Sequence, residues 1–586
     1  MNRIKYKALA FVLCSAVATS VVAEDLNKVI VIKKEIDPEV KESNKINVSP
    51  QVPPLEMKTT VLNYNDKAKT APVPAEVTRL DPVANIDTIS WSKYRGYAAL
   101  GYFPIYNMGV SAGYRFIDKK DMKLGAWLQY NGKSYDGTTR DGSELSFNDH
   151  EISLNAAYSQ NINKLGVLSA NAGYTINSFS CPWLEDYTQS VNRFDFDAKW
   201  DSRVEGLKYN VEIGYDYFGY GKDAVYDSYF DILLNKYNQN PFEAVNEHSG
   251  YLNAGASLEL DDNTQVALDF GAKMIHNNHL SDSYVINSTL SKEVGYKMKQ
   301  PYNHAILTLI PHYDFKYENF KARVGVQLDY QIDVENEFNI APDVYLDWSA
   351  TSILSAYAHF TGGVHQNSMS SIFDVSHYFS PSMAYQNSKL PYVIDAGVNI
   401  GPFKNATLEI FGGYARANDW YMPCVESGVH KMESIDLDGW HLGVAASYNY
   451  KDIAKVRASY EAAPQSYDDG YYMWRDRAKY VVKASAMVTP ISPLDITLDY
   501  EYRGGRSTYE NIEEITTIGW SSFYNTIHQR RLLGGVSNLS VGGLYRYTDQ
   551  ISFFARLENI LNNKYDLLYD IPAQGFTGLV GATYKF

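Results

Sequence analysis

The chain has 586 residues and a formal net charge of −15; it is 45% hydrophobic and 14% aromatic, with 49 Tyr and only three Cys. Gly and Pro are too few for a collagen-like or disordered chain. An acidic balance without a basic block excludes a nucleic-acid binder, and three Cys exclude a disulfide scaffold. Length alone suggests several soluble domains, but the pattern along the chain argues otherwise.

Arg3, Lys5 and Lys7 precede an apolar run from Ala8 to Val22, followed by the cleavage-site pattern Val21-Val22-Ala23. Residues 1–23 therefore read as a secretory signal peptide cut between Ala23 and Glu24. The run falls short of the roughly 20 residues of a spanning helix, and Phe11-Val12-Leu13 makes a poor lipidation motif ahead of Cys14. In residues 24–90, Pro38, Pro50, Pro53, Pro54, Pro72, Pro74 and Pro82 interrupt a Lys/Glu-rich stretch. Proline lacks a donor and restricts its predecessor, which predicts a short, irregular, Pro-rich periplasmic arm. One apolar patch stands out in it, Val29-Ile30-Val31-Ile32.

From about Gly96 onward the chain alternates with period 2. Leu494, Ile496, Leu498, Tyr500 and Tyr502 alternate with Asp495, Thr497, Asp499, Glu501 and Arg503. Val266, Leu268, Phe270, Ala272 and Met274 do the same against Ala267, Asp269, Gly271 and Lys273. Each such segment is a strand with one oily and one polar face. A soluble sandwich would turn the oily face into a core, whereas an outer-membrane barrel turns it toward lipid. Four features favour the barrel. The segments reach the length that crosses a bilayer, beyond the usual soluble strand. Their polar faces are often fully charged, as a wet lumen requires. Aromatics such as Tyr209, Tyr215 and Tyr217 gather toward strand ends like a girdle. Tight turns near 119–121, 163–164, 261–263, 318–319, 404–405, 451–452 and 548–549 alternate with long loops near 227–247, 280–303, 364–391, 419–437, 461–475 and 505–530.

The fold class is thus all-β: a transmembrane antiparallel barrel of about 22 strands over residues 91–586, in the cell outer membrane. A Lys or Arg facing mid-bilayer lipid costs about 2–4 kcal/mol, so Lys455, Arg457, Lys479 and Lys483 are expected to face the lumen. In the last segment Phe576, Gly578, Val580, Ala582, Tyr584 and Phe586 share the lipid face. Tyr584 and the terminal Phe586 resemble the C-terminal insertion signal of outer-membrane proteins, which implies the barrel-assembly machinery as a partner during biogenesis.

The run Phe553-Phe554-Ala555-Arg556-Leu557-Glu558-Asn559-Ile560-Leu561-Asn562-Asn563-Lys564-Tyr565 resembles the penultimate strand of TonB-dependent receptors. Ala341-Pro342-Asp343-Val344-Tyr345-Leu346-Asp347-Trp348, followed by Leu354-Ser355-Ala356-Tyr357-Ala358, also resembles that family's barrel. The resemblance spans about 95–586 and implies a receptor or transporter. It fails in one place: residues 24–90 leave too little chain for the globular plug that closes the lumen of those receptors. Val29, Ile30, Val31 and Ile32 lie where the family keeps its TonB box, a strand donated by β-augmentation. TonB, or an outer-membrane lipoprotein or complex, is the implied partner.

The sequence carries no Gly-rich phosphate loop, G-x-S-x-G elbow or H-E-x-x-H, so no enzyme is expected and no cofactor is implied. His276 and His279, spaced H-x-x-H at the top of a strand, are weak metal candidates beside a plain polar-rim reading. Cys181 and Cys424 fall at the outer ends of strands 5 and 15. An exported chain permits a disulfide between them if loops meet across the mouth; two separate thiols are the other reading. Two functions stay open: a receptor or transporter binding or admitting a ligand through its outer loops and lumen, or a non-transporting barrel in an outer-membrane complex whose arm docks a partner.

Overall fold

The computed structural model describes residues 94–104, 107–162, 165–181, 188–204, 206–221, 246–277, 303–332, 336–379, 386–426, 429–451, 453–466, 478–518 and 521–586. The signal peptide, the Pro-rich arm and the Val29–Ile32 strand lie outside the described residues.

The wall is an antiparallel sheet in which each strand pairs with its sequence neighbour. The sheet counts 24 strands, but Ser507–Ile518 and Ser521–Leu532 form a hairpin outside the wall, so 22 strands close the barrel. Closure joins the first strand, Gly96–Phe103, to the last, Thr577–Lys585, with Tyr97 opposite Lys585 and Tyr102 opposite Val580. The amides of Arg95 and Gly96 both donate to the Phe586 carbonyl at 2.8 Å, so the C-terminal residue completes the seam. Closure removes the unpaired edges an open sheet would expose.

The faces are inside-out relative to a soluble domain. In Leu494–Gly504, Leu498 is 44% exposed and points outward, whereas Asp495 and Glu501 on the lumenal face are each 2% exposed. The outward row is apolar around the wall, with Leu252, Val266, Val324, Ile340, Ile410 and Val456 exposed. Charged groups face in and pair there. Arg457 lies 3.6 Å from Glu409, Lys483 lies 3.3 Å from Glu501, and His441 sits between Asp395 and Glu461. Lys455 shares the face of Arg457. The inward register expected of Lys455, Arg457 and Lys483 holds, whereas Lys479 lies just ahead of strand Tyr480–Ile491 and has no place in its alternation.

Turns at the end that carries Arg95 and Phe586 are tight. Lys404 and Asn405 both take positive φ (48° and 70°) between the paired Phe403 and Ala406, as a two-residue type I′ hairpin requires. At the opposite end two expected loops are strands. Ala406–Glu426 and Val429–Tyr450 stay paired as far as Glu426 and Val429, so 419–437 is a projecting hairpin. The alternation breaks at a bulge between Ala417 and Trp420, where Asp419 has φ 56°, and resumes beyond it. Residues 505–530 likewise hold the Ser507–Ile518/Ser521–Leu532 hairpin, whose Tyr509 pairs in parallel with Cys424.

Candidate functional site: the outer mouth of the lumen

The lumenal face is polar along most of its height, but the rule reverses at the outer end of five neighbouring strands. Tyr135, Phe147, Phe179, Val191, Phe218 and Tyr220 share the parity of the charged lumenal row below them, yet they are apolar and buried. What buries them is residues 366–379, which follow strand Leu354–His365. They fold into the mouth and carry helix α1 (Met369–Val375). Met369, Ile372, Phe373, Tyr378 and Phe379 pack onto the wall cluster, and Tyr421 and Met432 of the projecting hairpin join it from the far side.

Asn367 donates to the Gln386 carbonyl at 2.7 Å and to Ser388 Oγ at 2.8 Å at the base of this segment, and polar contacts hold both ends of its helix. At the start of α1, Ser368 and Ser371 form a reciprocal capping box, and the Met369 amide donates to Glu247 Oε2 at 2.8 Å. Glu247 is itself buried at the top of strand Asn246–Asp261. A carboxylate at a helix N-terminus is favoured by the unpaired amides and the dipole. At the other end, Arg193 Nη1 lies 2.5 Å from Asp374 Oδ1. The same guanidinium sits 4.4 Å over the Phe373 ring and 5.8 Å over that of Phe218. Phe373 lies among Phe179, Phe218 and Tyr220, with ring centroids at 5.9, 5.4 and 6.5 Å.

Two further elements cover the mouth. The short hairpin Asp566–Leu568/Ile571–Pro572 buries Leu568 and Ile571 in the same cluster, and Tyr135 donates to the Pro572 carbonyl at 3.2 Å. Arg140 holds it through Asp566, and Arg506 through the Asp566 and Leu567 carbonyls. Tyr509, from the other hairpin, closes a second cluster with Leu390, Ala415, Ala417, Trp420, Met422 and Leu437. Burial pushes the Tyr378 and Tyr421 hydroxyls above the usual tyrosine range and lowers His430 to about 4, so these groups stay neutral in the closed mouth.

The residues expected from sequence fall in different places. His276 lies opposite His248, which is grouped with Tyr215 and Tyr217, on the outward face at the rim. This position fits the aromatic girdle and the polar-rim reading, while His279 lies outside the described residues. Among the described residues no group of three or more His, Cys, Asp or Glu is arranged to hold a metal ion. Cys181 and Cys424 do lie at the outer ends of strands 5 and 15, but as buried thiols and not as a disulfide. Cys181 belongs to the wall cluster, whereas Cys424 pairs with Tyr509 along the backbone. Tyr584 and Phe586 line the closing seam on the lipid face, their rings stacked at 6.0 Å. Sequence reasoning missed Arg193, Glu247 and α1. The available signals were the apolar residues on the polar face at the strand tops and the capped Ile372-Phe373 run inside a loop.

A closed barrel with an apolar exterior, a charged lumen, and long connections at one end defines a β-barrel of the outer-membrane type. Comparison with solved structures agrees on the fold. The chain is similar to the ferric enterobactin receptor PfeA of Pseudomonas aeruginosa (TM-score 0.60, 9% identity, 85% of this chain and 81% of that one). It is similar also to the siderophore receptor PirA of Acinetobacter baumannii (0.62, 7%, 85% and 81%) and to the copper transporter OprC (0.58, 11%, 85% and 81%). No protein-family model matches the chain, and no curated protein does.

Proposed function

We propose that the chain is an outer-membrane receptor or transporter that admits a solute through its polar lumen, with its own outer segment 366–379 as the gate. The observation that carries this reading is the seating of α1. An apolar segment packs into the mouth of a charged channel, and its polar contacts gather at the start and end of α1 and at Asn367, outside the strand ladder, so it can leave without breaking the wall. The similar structures include a siderophore receptor, a copper transporter and an iron transporter, which supports solute uptake as the general class. Residues 24–90 are the proposed periplasmic arm, and Val29–Ile32 the segment a TonB-like partner would pair with. The test is conductance of the mature chain in planar bilayers, with and without α1: loss of the helix should open a channel.

The projecting hairpin and the strand paired to it at Cys424–Glu426 favour a second reading, a scaffold within an outer-membrane complex. A stoichiometric partner copurifying from native membranes, together with no conductance from any gate variant, would select it.

A further inference from the structure

The wall has an unfinished join at the root of the gate. Strands Glu337–Thr351 and Leu354–His365 pair from Thr351/Leu354 up to Val344/Phe360 and stop there, although both run on toward the mouth. Above that point Glu337–Asp343 pairs only with Phe320–Ile332, and Gly363–His365 only with Ser388–Leu390, among the described residues. The end of Leu354–His365 has stepped inward instead. A Cβ at Gly362 would lie 2.9 Å from that of Ala341, and one at Gly363 would lie 2.1 Å from Gln327 Nε2. Gly363 supplies the bend with a φ of 126°, which side chains disfavour. The Val364 amide then donates at 3.0 Å to Asp329 Oδ2, a fully buried carboxylate two strands away. This seat satisfies its polar groups poorly. Asn339 Nδ2, Asp343 Oδ2, Gln331 Nε2 and both amide atoms of Gln366 are buried with no hydrogen-bond partner among the described residues, which is unfavourable. An unpaired strand edge in a bilayer wall is unfavourable for the same reason.

We propose that the outer end of strand Leu354–His365 has two seats, and that the ladder it completes with Glu337–Asp343 in the second seat drives the gate open. This inference rests on the gate reading above. Continuing the register of Val344/Phe360 sets Gly362 opposite Pro342, Val364 opposite Ile340, and Gln366 opposite Phe338 at the rim. Val364 then joins Ile340, which is 66% exposed, on the lipid face, so the alternation of the wall is kept. The two seats exclude each other. Only Asn367 and Ser368 separate Gln366 from Met369, whose amide is held by Glu247 on strand Asn246–Asp261. The strand end therefore reaches the wall only when α1 leaves the mouth. In the closed form the burial of Ile372 and Phe373 outweighs the unmet polar groups. In the open form a finished ladder replaces both. Opening is then a switch between two packed states, its population set by their difference in free energy.

The test places cysteine pairs across the join in the full mature chain and follows their oxidative cross-linking by copper phenanthroline. The control pair Val344→Cys/Phe360→Cys spans the ladder as it stands and should link in every form. Ile340→Cys/Val364→Cys spans the completed ladder at a pair of the same kind, nearer the mouth. It should link slowly with the gate intact and roughly a hundredfold faster with Phe373→Ala, in proportion to the released population. Once linked, this pair should conduct in planar bilayers with the gate sequence unchanged. If Phe373→Ala raises conductance but leaves Ile340→Cys/Val364→Cys slow to link, the gate stands and the second seat is wrong. Linking as fast as the control in the chain with its gate intact would also overturn the proposal, because the stepped-in seat would not hold. If neither Phe373→Ala nor the linked pair conducts, the gate reading falls and takes this inference with it.

Discussion

Phe373→Ala separates the gate from the wall most cleanly. Phe373 is only 6% exposed, and its ring meets Phe179, Phe218, Tyr220 and Arg193. Truncating a buried Phe to Ala costs about 3–5 kcal/mol, since the lost transfer energy and the cavity add. None of that bears on the strand ladder, so it falls almost wholly on the seated state of the segment. At about 1.4 kcal/mol per tenfold, the ratio of seated to released forms should drop by roughly two to three and a half orders of magnitude. The ion pair is a smaller lever: with Asp374 half exposed, Asp374→Asn should cost at most about 1 kcal/mol. The assay is single-channel conductance beside hydrogen exchange over 366–379. Both should rise steeply in Phe373→Ala, modestly in Asp374→Asn and least in Phe373→Leu, which refills most of the cavity, while the barrel's melting temperature stays put. Unchanged exchange and conductance in Phe373→Ala would refute the reasoning, because the ring would then be contributing nothing to closure.

The remaining expectations concern the wall, the seam and the rim. Leu498→Arg puts a charge on the lipid face in mid-strand and should destabilise the barrel by about 2–4 kcal/mol, read as a lower denaturant midpoint in bilayers; a neutral outcome would mean the register is wrong. Gly581→Val should impair folding, because a Cβ at Gly581 would lie 2.1 Å from the Leu100 backbone carbonyl across the seam; the heat-modifiable folded band on gels should be lost. Deleting Phe586 removes the carbonyl that accepts from Arg95 and Gly96 and should reduce the amount of protein assembled in the outer membrane, measured by fractionation. His430 gives a pH dependence. Burial lowers it from 6.5 to about 4, so local opening of the 419–437 hairpin lets it take up a proton that the packed hairpin refuses. The packing of that hairpin should be fully stable above pH 6.5 and weaken as pH falls from 6.5 toward 4. Hydrogen exchange corrected for intrinsic rates should show this over 419–437, and His430→Leu should flatten it.

The barrel was legible because a membrane wall imposes one rule on every residue of every strand. Leu494–Arg503 alone reveals its two faces, and the placing of Lys455, Arg457 and Lys483 follows from the cost of charge in lipid. Tight turns were legible where two residues must both adopt positive φ, as at Lys404-Asn405. The upper hairpin was not: the bulge at Asp419 shifts the alternation, and Pro423 reinforces the look of a loop, although pairing resumes beyond it. The site was hidden for a different reason. Arg193 and Phe373 are 180 positions apart in sequence, and their contact depends on a segment folding inward across the mouth. Local pattern carries no information about that. The visible trace was negative, namely Phe147, Phe179 and Phe218 breaking the polar-inward rule where nothing local accounts for them.

The central claim is that the lumen is a solute route closed from outside by residues 366–379. The most direct measurement is the conductance of four mature forms in planar bilayers: the intact chain, the chain with 369–375 replaced by a Gly-Ser linker, the chain lacking 24–90, and the chain with both changes. The linker form should conduct well above the intact chain, and the doubly changed form at least as much. Equal, low conductance in all four forms, with folding intact by heat-modifiable migration, would contradict it.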